Sequence, residues 1–473
     1  MNRIKTILYI LLSSCLFILN AQDCNKYVRI SKEYSHYYEL ENGKTWIPIM
    51  TNYLTPNDDF NGTDDNEFNI VEDYFRKFSD NGGNAMRIWI SASFLEIEDK
   101  LEGEYNPVKF ARIDRLLALA GKYGIRVKFT LQHIRFISST STPSTGWATS
   151  KALASAFTDM EEYITTARGR QSYLNRVKAF SDRYKNNKQI YGWELWNEMN
   201  AAGWKNDSWY DFTTEVLPKV KALFPNQMVT QTLGSLDSKE AEKSYKMLFA
   251  IESNEYISIH RYLDQGNKAY ETVKGTVDTL VSSAMNFTLK NVKDKPIVIN
   301  EIGAVEGNHA GPFKLYKKDR DGVLIHDMIF APFFCGAAGS GGMWHWDHYI
   351  YPQNLWYHFK RFSKAVENCD PVKEHFQHFF FETNGVRCYG LKGISKTIMW
   401  CRDGENNWKT ELEKNITARS RSFSFNLNEL ANDKYSTVVF YDPWKDARVE
   451  KTVKKGKINV PYFKRSIVII LEK

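Results

Sequence analysis

Two glutamates that follow strand-like segments are the residues of this 473-residue sequence best placed to do chemistry together. Glu198 follows the apolar segment 192–196, and Glu301 follows the apolar segment 297–300. Two carboxyl groups about 5–5.5 Å apart can cleave a glycosidic bond with retention, one protonating the leaving oxygen while the other attacks the anomeric carbon. A salt bridge explains either glutamate alone equally well. Two glutamates at corresponding strand ends favour catalysis, with Glu198 as acid/base and Glu301 as nucleophile.

The elements that must position these glutamates are short apolar strands alternating with amphipathic helices. Apolar spacings of three and four, as at Ile113, Leu116, Leu117 and Ala120, are typical of helices. The predicted strands are 46–51, 85–90, 125–131, 192–196, 228–232, 256–260, 297–300 and 342–346. Eight such units predict an α/β fold, a (β/α)₈ TIM barrel over residues 46–373, whose strand ends share one rim. A doubly wound open sheet is the alternative, but no Gly-x-Gly-x-x-Gly follows the first strand.

The flanks of the predicted barrel have a different pattern. Residues 22–45 predict an N-terminal hairpin segment that covers the base of the barrel. Residues 374–473 contain short alternating strands and turns, which predict a C-terminal antiparallel β-sandwich domain. We expect this domain to support the barrel by packing. A carbohydrate-binding role would require Trp400, Trp408 and Trp444 to form an exposed row.

Several motifs resemble one known group of enzymes. Trp196-Asn197-Glu198 and Ile299-Asn300-Glu301-Ile302-Gly303 resemble the acid/base and nucleophile motifs of retaining glycoside hydrolases of clan A, most closely those of glycoside hydrolase family 5. The resemblance covers roughly residues 40–365. The other matching segments are Asn84-Ala85-Met86-Arg87, Leu131-Gln132-His133, His260-Arg261-Tyr262 and Met343-Trp344-His345-Trp346.

The resemblance implies a role for each of these positions. Arg87 and Tyr262 would hold Glu301 ionised, and Asn197 would donate to the sugar 2-hydroxyl. His133 and His260 would lie in the substrate site, and Trp346 would form the floor under the sugar. Some alternatives remain open. Arg87 could instead form a structural ion pair, and His133 and His260 could make only structural hydrogen bonds. Trp344 could replace Trp346 as the floor, because the two residues share a face of the predicted strand.

The same resemblance implies that Glu198 is protonated at rest, because burial beside Trp196 would raise its pKa. The chemistry requires no cofactor and no metal, and no His/Asp/Glu cluster has ligand spacing in the sequence. We therefore expect neither.

The substrate is less well determined than the reaction. The third strand ends Gln132-His133 rather than with an acidic residue before the histidine, and the Ser/Thr-rich loop 138–150 is long. Specificity resides in such loops. We expect a β-linked polysaccharide or oligosaccharide as substrate, with β-mannan or β-glucan favoured by analogy. The candidates for lining more distant subsites are Trp89, Trp147, Trp204 and Trp356.

Two other functions remain open. An exo-acting glycosidase on a short decorated glycan would have the same carboxylates in a closed pocket. A non-catalytic glycan-binding protein on the same scaffold would have lost one carboxylate, and both are present.

Composition excludes several classes of protein. With 43% hydrophobic and 25% charged residues the chain is globular. The net charge is +7, yet basic residues form no run longer than pairs such as Lys454-Lys455, which argues against nucleic-acid binding. A monomer is expected.

The first 21 residues predict a signal peptide and therefore export to the periplasm, the cell surface or the medium. A basic start, residues 2–5, precedes the apolar run 7–19 and a small residue at Ala21. About 13 apolar residues are too few to span a bilayer. A lipid anchor at Cys15 is the less favoured alternative, because apolar residues follow it directly. Cys388 and Cys401 lie in neighbouring predicted strands, either as a disulfide or as buried thiols.

Overall fold

The computed structural model describes residues 25–55, 62–202, 207–430, 434–453 and 456–473. The predicted signal peptide, Cys15, Cys24 and Trp204 lie outside these ranges. The strands up to residue 305 are β1 (Val28–Ile30), β2 (Tyr38–Leu40), β3 (Thr45–Trp46), β4 (Met50–Tyr53), β5 (Ala85–Trp89), β6 (Arg126–Thr130), β7 (Phe136–Ile137), β8 (Thr149–Ser150), β9 (Ile190–Glu194), β10 (Met228–Thr230), β11 (Ile257–Asp264) and β12 (Ile297–Val305).

Parallel strands alternate with helices, as predicted. One set of strands pairs in the order β10-β9-β6-β5-β4, and β11 pairs with β12. Met343 joins the two sets, because it bridges Thr51 of β4 and Ile302 of β12 in parallel. The ladder is interrupted between β10 and β11, where single backbone bonds run from Glu255 N to Val229 O (3.3 Å) and from Leu236 N to His260 O (3.0 Å).

The longer connecting helices bury apolar side chains, such as Ile113, Leu116 and Leu117 of helix Pro107–Lys122. Side-chain caps fix where several of them begin, as at Asn106, whose amide oxygen accepts from Val108 N while Pro107 takes the first helical position. The helices are Asp64–Asp80, Pro107–Lys122, Met160–Thr165, Ala167–Tyr184, Ser208–Leu223, Lys239–Phe249, Val277–Asn291, Val323–Phe334, Tyr351–Gln353, Tyr357–Ala365 and Pro371–Glu374.

The strands predicted at 256–260 and 297–300 extend farther, to Asp264 and Val305, and two other predicted strands differ more. The first parallel strand begins at Met50 rather than residue 46, because Trp46 pairs with Tyr38 in a separate antiparallel sheet. The predicted strand 342–346 is reduced to Met343. The chain passes so close to its neighbours here that a Cβ on Gly342 would lie 2.3 Å from Asn300 O, and it then turns into the helical segment Trp346–Ile350.

The predicted N-terminal hairpin is a three-stranded antiparallel sheet of β1, β2 and β3. Its aromatic side chains pack against the beginnings of the parallel strands. The Tyr38 ring lies 6.0 Å from that of Tyr256, and the Trp46 ring lies 5.2 Å from that of Tyr191. The sheet therefore covers the amino-terminal end of the parallel strands, opposite the predicted site.

The C-terminal region is antiparallel, as predicted. Its strands are β13 (Gln377–Thr383), β14 (Val386–Lys392), β15 (Lys396–Asp403), β16 (Arg421–Asn426), β17 (Thr437–Asp442), β18 (Ala447–Thr452), β19 (Lys457–Phe463) and β20 (Ser466–Glu472). Six of them form one sheet in the order β13-β14-β15-β20-β17-β18, and β16 pairs with β19 in a separate ladder. Phe423 and Ile458 of this ladder share an apolar core with the larger sheet.

The other face of the six-stranded sheet packs on the parallel domain. Arg402 Nε lies 2.8 and 2.9 Å from the two oxygens of Asp327, and both side chains are fully buried. Asp278 accepts hydrogen bonds from Arg387 and Tyr389. These contacts join the sheet to helices Val277–Asn291 and Val323–Phe334. The sheet therefore packs against the parallel domain.

The C-terminal tryptophans do not form an exposed row. Trp400 and Trp408 are buried, and Trp444 is partly buried with its indole N–H donating to Ser466. The condition for a carbohydrate-binding role is therefore not met, because these rings pack between the C-terminal sheet and the parallel domain.

Cys388 and Cys401 are free thiols directly opposite each other in β14 and β15. Among the described residues, no helix combines the length and the apolar character needed to cross a membrane.

We expect Arg402→Ala to lower the free energy of unfolding by about 3–5 kcal/mol, because it leaves Asp327 buried without its cation. Denaturant melts followed by circular dichroism measure this loss. The double variant Asp327→Leu/Arg402→Met should lose much less, because it buries no unpaired charge. An equal loss in both variants would contradict the account of this interface.

Candidate active site

The carboxyl-terminal ends of the parallel strands surround a cavity of about 420 Å³. This volume is typical of a small-molecule site. Its lining includes both candidate glutamates and most of the other predicted site residues. The lining residues are Leu54, Trp89, Ala92, His133, Arg135, Trp147, Asn197, Glu198, Tyr262, Glu301, Val305, His309, Gly311, Pro312, Trp344, His345, Trp346, Asp347 and His348.

Glu301 lies on β12 with a donor on each carboxylate oxygen. Arg87 forms a short ion pair with Oε1, and the Tyr262 hydroxyl donates to Oε2 at 2.7 Å. Gly303 makes room for this arrangement, because a Cβ there would lie 3.0 Å from the Tyr262 ring and 2.9 Å from His345. The carboxylate is therefore held in one orientation at the rim of the cavity.

Arg87 is the centre of a buried charge network. Its Nε donates to Glu194 Oε2 at 2.8 Å, and its Nη2 donates to Asn197 Oδ1 at 2.8 Å. Lys128 Nζ lies 2.9 Å from the same Glu194 oxygen. Two cations thus face two carboxylates, Glu194 and Glu301, which offsets the cost of burying each charge.

Burial disfavours charge on both members of the Lys128–Glu194 pair, but the outcomes differ. Burial lowers the pKa of Lys128 to about 8, although Glu194 opposes the shift. For Glu194, the charges of Arg87 and Lys128 outweigh burial and hold its pKa well below the ordinary value. Neither residue is among those predicted for the site; the available signal is that Lys128 lies between Val127 and Phe129 in the middle of a buried strand.

Glu198 has a left-handed backbone conformation, with φ 49° and ψ 52°. A non-glycine residue in this region costs roughly 1–3 kcal/mol, which neighbouring contacts must offset. The backbone N–H of Glu198 donates to Thr232 Oγ1 at 3.2 Å, and that of Asn197 donates to Gln132 O at 2.8 Å. The conformation directs the carboxylate of Glu198 into the cavity.

Both oxygens of Glu198 accept hydrogen bonds. His260 Nδ1 lies 2.9 Å from Oε1, and Arg135 Nη2 lies 2.9 Å from Oε2. Burial opposes ionisation, but the hydrogen bond from His260 and the charge of Arg135 outweigh it and hold the pKa of Glu198 below its ordinary value. The expectation of a raised pKa is therefore wrong, because the contacts of His260 and Arg135 with the carboxylate outweigh its burial.

His260 lies between the two glutamates, with Nδ1 3.4 Å from Glu301 Oε2 as well. One ligand atom each from Glu198, His260 and Glu301 lies within 4.8 Å of the others, so the described residues do include a group that could hold a metal ion. Sequence spacing does not reveal it, because Glu198 follows β9 while His260 lies on β11 and Glu301 on β12. The donor set fits a metal poorly, since His260 Nδ1 faces carboxylate oxygens as a donor and Glu301 already accepts from Arg87 and Tyr262.

His133 uses both ring nitrogens within the protein. Nε2 lies 2.5 Å from Trp147 O, so it donates there, and Nδ1 accepts from the Ser91 hydroxyl at 2.6 Å. Burial lowers the pKa of His133 to about 4. The ring is therefore neutral near pH 7, and it ties the inserted loop that carries Trp147 to the end of β6.

The tryptophans of the site occupy different positions. The half-buried Trp346 packs on Tyr53 at a ring distance of 4.7 Å, while Trp344 packs on Trp89 at 5.2 Å. Trp147 is 39% exposed at the edge of the cavity. Trp356, a candidate for a distant subsite, is instead a core residue with 2% exposure.

Comparison with known families and structures gives an independent view of the chain. The model of the family described as cellulase (glycosyl hydrolase family 5) matches residues 49–328. A solved glycoside hydrolase family 5 structure from Bacteroides vulgatus aligns with 95% of this chain and 94% of its own, with a TM-score of 0.59 and 12% identity. This likeness implies the (β/α)₈ barrel fold.

Two curated relatives are named for the same activity. A probable mannan endo-1,4-beta-mannosidase F from Aspergillus oryzae is 26% identical over 232 residues, which is 46% of this chain and 47% of the relative. Mannan endo-1,4-beta-mannosidase A from Hypocrea jecorina is 26% identical over 152 residues, which is 30% of this chain and 33% of the relative. The chain thus spans about half the length of these relatives or less.

Proposed function

The chain belongs to glycosyl hydrolase family 5, and we propose that it hydrolyses a β-linked polysaccharide, β-mannan in the first place, with retention of anomeric configuration. Glu301 is the proposed nucleophile and Glu198 the proposed acid/base.

The separation of the two carboxylates carries this proposal. An oxygen of Glu198 and an oxygen of Glu301 lie within 4.8 Å of each other. Retaining enzymes have carboxyl groups about 5–5.5 Å apart, whereas inverting enzymes need roughly 6.5–9.5 Å to admit a water molecule between carboxylate and sugar. The spacing therefore supports direct attack by Glu301.

In the first step, Glu301 attacks the anomeric carbon and forms an ester with the sugar. Glu198 gives its proton to the glycosidic oxygen, and the leaving saccharide departs as an alcohol. Esterification removes the negative charge of Glu301, so Glu198 can then remain ionised.

In the second step, Glu198 takes a proton from water, and the resulting hydroxide attacks the anomeric carbon. The ester bond breaks, Glu301 regains its charge, and Arg87 and Tyr262 are already placed to stabilise it. Both residues therefore act through Glu301.

The remaining polar residues would position the sugar and the two glutamates. Asn197 accepts from Arg87 through its amide oxygen, so the NH₂ group is the end that can donate to a sugar hydroxyl. His260 orients Glu198, and His133 holds the Trp147 loop.

The curated relatives are named as mannan endo-1,4-beta-mannosidases, which supports β-mannan rather than β-glucan as the substrate. A non-catalytic glycan-binding function is the weaker alternative, because both carboxylates and their donors are in place around one cavity.

A reducing-sugar assay on β-mannan, β-glucan, xylan and β-galactan tests this proposal. We expect release from β-mannan above all. Release from another polysaccharide alone would replace the substrate, and no release from polymers or from mannobiose and cellobiose would overturn the hydrolase proposal.

We propose Trp346 as the floor of the sugar site, because Tyr53 and Tyr74 support its ring from behind. Trp346→Ala should lower kcat/KM by about 10- to 100-fold, the effect expected for loss of one large apolar contact. Trp346→Phe should recover most of it. If Trp344→Ala has the larger effect instead, the floor is Trp344.

We propose two domains: a closed catalytic barrel over residues 46–373 and a β-sandwich over residues 374–473 that supports it.

We also propose export, with cleavage after Ala21. Mass spectrometry of protein recovered from the medium should find an N-terminus at Gln22, whereas a lipid-modified cysteine would indicate anchoring.

A further inference from the structure

Glu198 is an unusual acid in the described structure, because each of its carboxylate oxygens already accepts a hydrogen bond. Oε1 accepts from His260, and Oε2 accepts from Arg135. The proposed first step requires a proton on this carboxyl group. A proton on the lone pair of Oε2 that accepts from Arg135 would displace the guanidinium N–H, and a positive charge beside Oε2 disfavours the protonated form.

We propose that Arg135 competes with the catalytic proton for Oε2 of Glu198 and thereby sets the pH above which the acid step fails. This inference rests on the proposed function. Arg135 acts through Glu198, so it is a positioning residue.

Arg135 lies in the segment between β6 and helix Met160–Thr165, which also contains Trp147. Its backbone N–H donates to Ala148 O at 2.7 Å, and its guanidinium carbon lies 5.2 Å from the centre of the Trp147 ring. This cation–π contact and the backbone bond hold the side chain at the cavity rim. The side chain of Arg135 is 27% exposed.

The other groups around Glu198 come from separate elements. His260 and Tyr262 lie on β11, Glu301 lies on β12, and His309 ends the turn Gly307–His309. Among the described residues, Arg135 is the arginine or lysine that forms an ion pair with Glu198. A guanidinium is a permanent cation in proteins, and a cation beside a carboxyl group favours its carboxylate form.

The pH dependence of kcat/KM tests this competition. In Arg135→Met the alkaline limb should move up by about one pH unit, because a neighbouring guanidinium lowers a carboxyl pKa by roughly 1–3 units. The acid limb should stay in place. Arg135→Lys should keep most of the wild-type profile, which a purely structural role of the arginine fork would not predict.

Lys151→Met is the matched control, because it removes a positive charge from the same segment without a contact to Glu198. An unmoved alkaline limb in Arg135→Met, or an equal shift in Lys151→Met, would overturn the proposal. If Arg135→Met does not fold, Arg135→Gln takes its place with the same expectation.

Carbon-13 NMR of glutamate carboxyl groups gives a readout that needs no substrate. The resonance absent from Glu198→Gln identifies Glu198, and its titration midpoint should rise by about one unit in Arg135→Met. A rise without any glycosidase activity would keep the competition and reject the proposed function. An unchanged midpoint in an active enzyme would reject the competition alone.

Discussion

Glu301→Ala should lower kcat on the preferred polysaccharide on the order of 10⁵-fold or more, as is found when an enzyme loses its nucleophile. The carboxylate lies within 4.8 Å of Glu198, and Arg87 and Tyr262 hold it at the cavity rim. Among the described residues, the other carboxylates that line this cavity are Glu198 and the exposed Asp347. Initial rates of reducing-sugar release measure the loss.

The isosteric Glu301→Gln separates loss of the nucleophile from loss of fold. It keeps the shape of the side chain, so its circular dichroism spectrum at low temperature should resemble that of the wild type while activity is lost. Glu306→Gln is the matched control, because this carboxylate follows the end of β12 and is not part of the cavity lining. Equal activity of Glu301→Gln and wild type would reject the nucleophile.

Glu198→Ala should produce a loss that depends on the leaving group. On a polysaccharide the expected loss in kcat/KM is about 10²- to 10⁴-fold, the usual contribution of a general acid. On a dinitrophenyl glycoside the first step needs no proton, so this loss should nearly vanish. Steady-state kinetics on both substrates measure the difference.

Azide supplies a second test of the same residue. It needs no general base to attack the glycosyl-enzyme, so it should restore turnover of the dinitrophenyl glycoside by Glu198→Ala and yield a β-glycosyl azide. Glu215→Gln, a surface change on helix Ser208–Leu223, is the control. The same loss for good and poor leaving groups would contradict the acid/base role.

The positions of the two glutamates could be predicted because strand ends follow from hydrophobic periodicity. Parallel strands bring their carboxyl ends to one rim, so residues more than 100 positions apart in sequence meet there. Arg87 and Tyr262 contact Glu301 for the same reason. These contacts depend on backbone topology, which the alternation of apolar and amphipathic segments specifies well.

The ionisation of Glu198 could not be predicted in this way. It depends on His260 and on Arg135. Arg135 reaches the site from a segment whose course is set by tertiary contacts such as the bond from His133 to Trp147 O. A strand-end rule places residues at a rim but says nothing of charges that a loop brings over it.

The positions of aromatic side chains are also hard to predict. Composition alone does not separate a ring in a cleft from one in the core, and Trp356, a candidate for a distant subsite, is enclosed by Tyr74 and Phe359. Trp400 lies between the C-terminal sheet and helix Val323–Phe334, as a packing role of that sheet requires. Burial by a second domain depends on contacts distant in sequence.

The most direct test of the central claim is to trap the glycosyl-enzyme. The protein would be incubated with 2-deoxy-2-fluoro-β-mannosyl fluoride, digested and analysed by peptide mass spectrometry. We predict one label per chain, on the peptide that contains Glu301, and none in Glu301→Gln. A label on Glu198, or no label from an enzyme that hydrolyses β-mannan with inversion, would contradict the account.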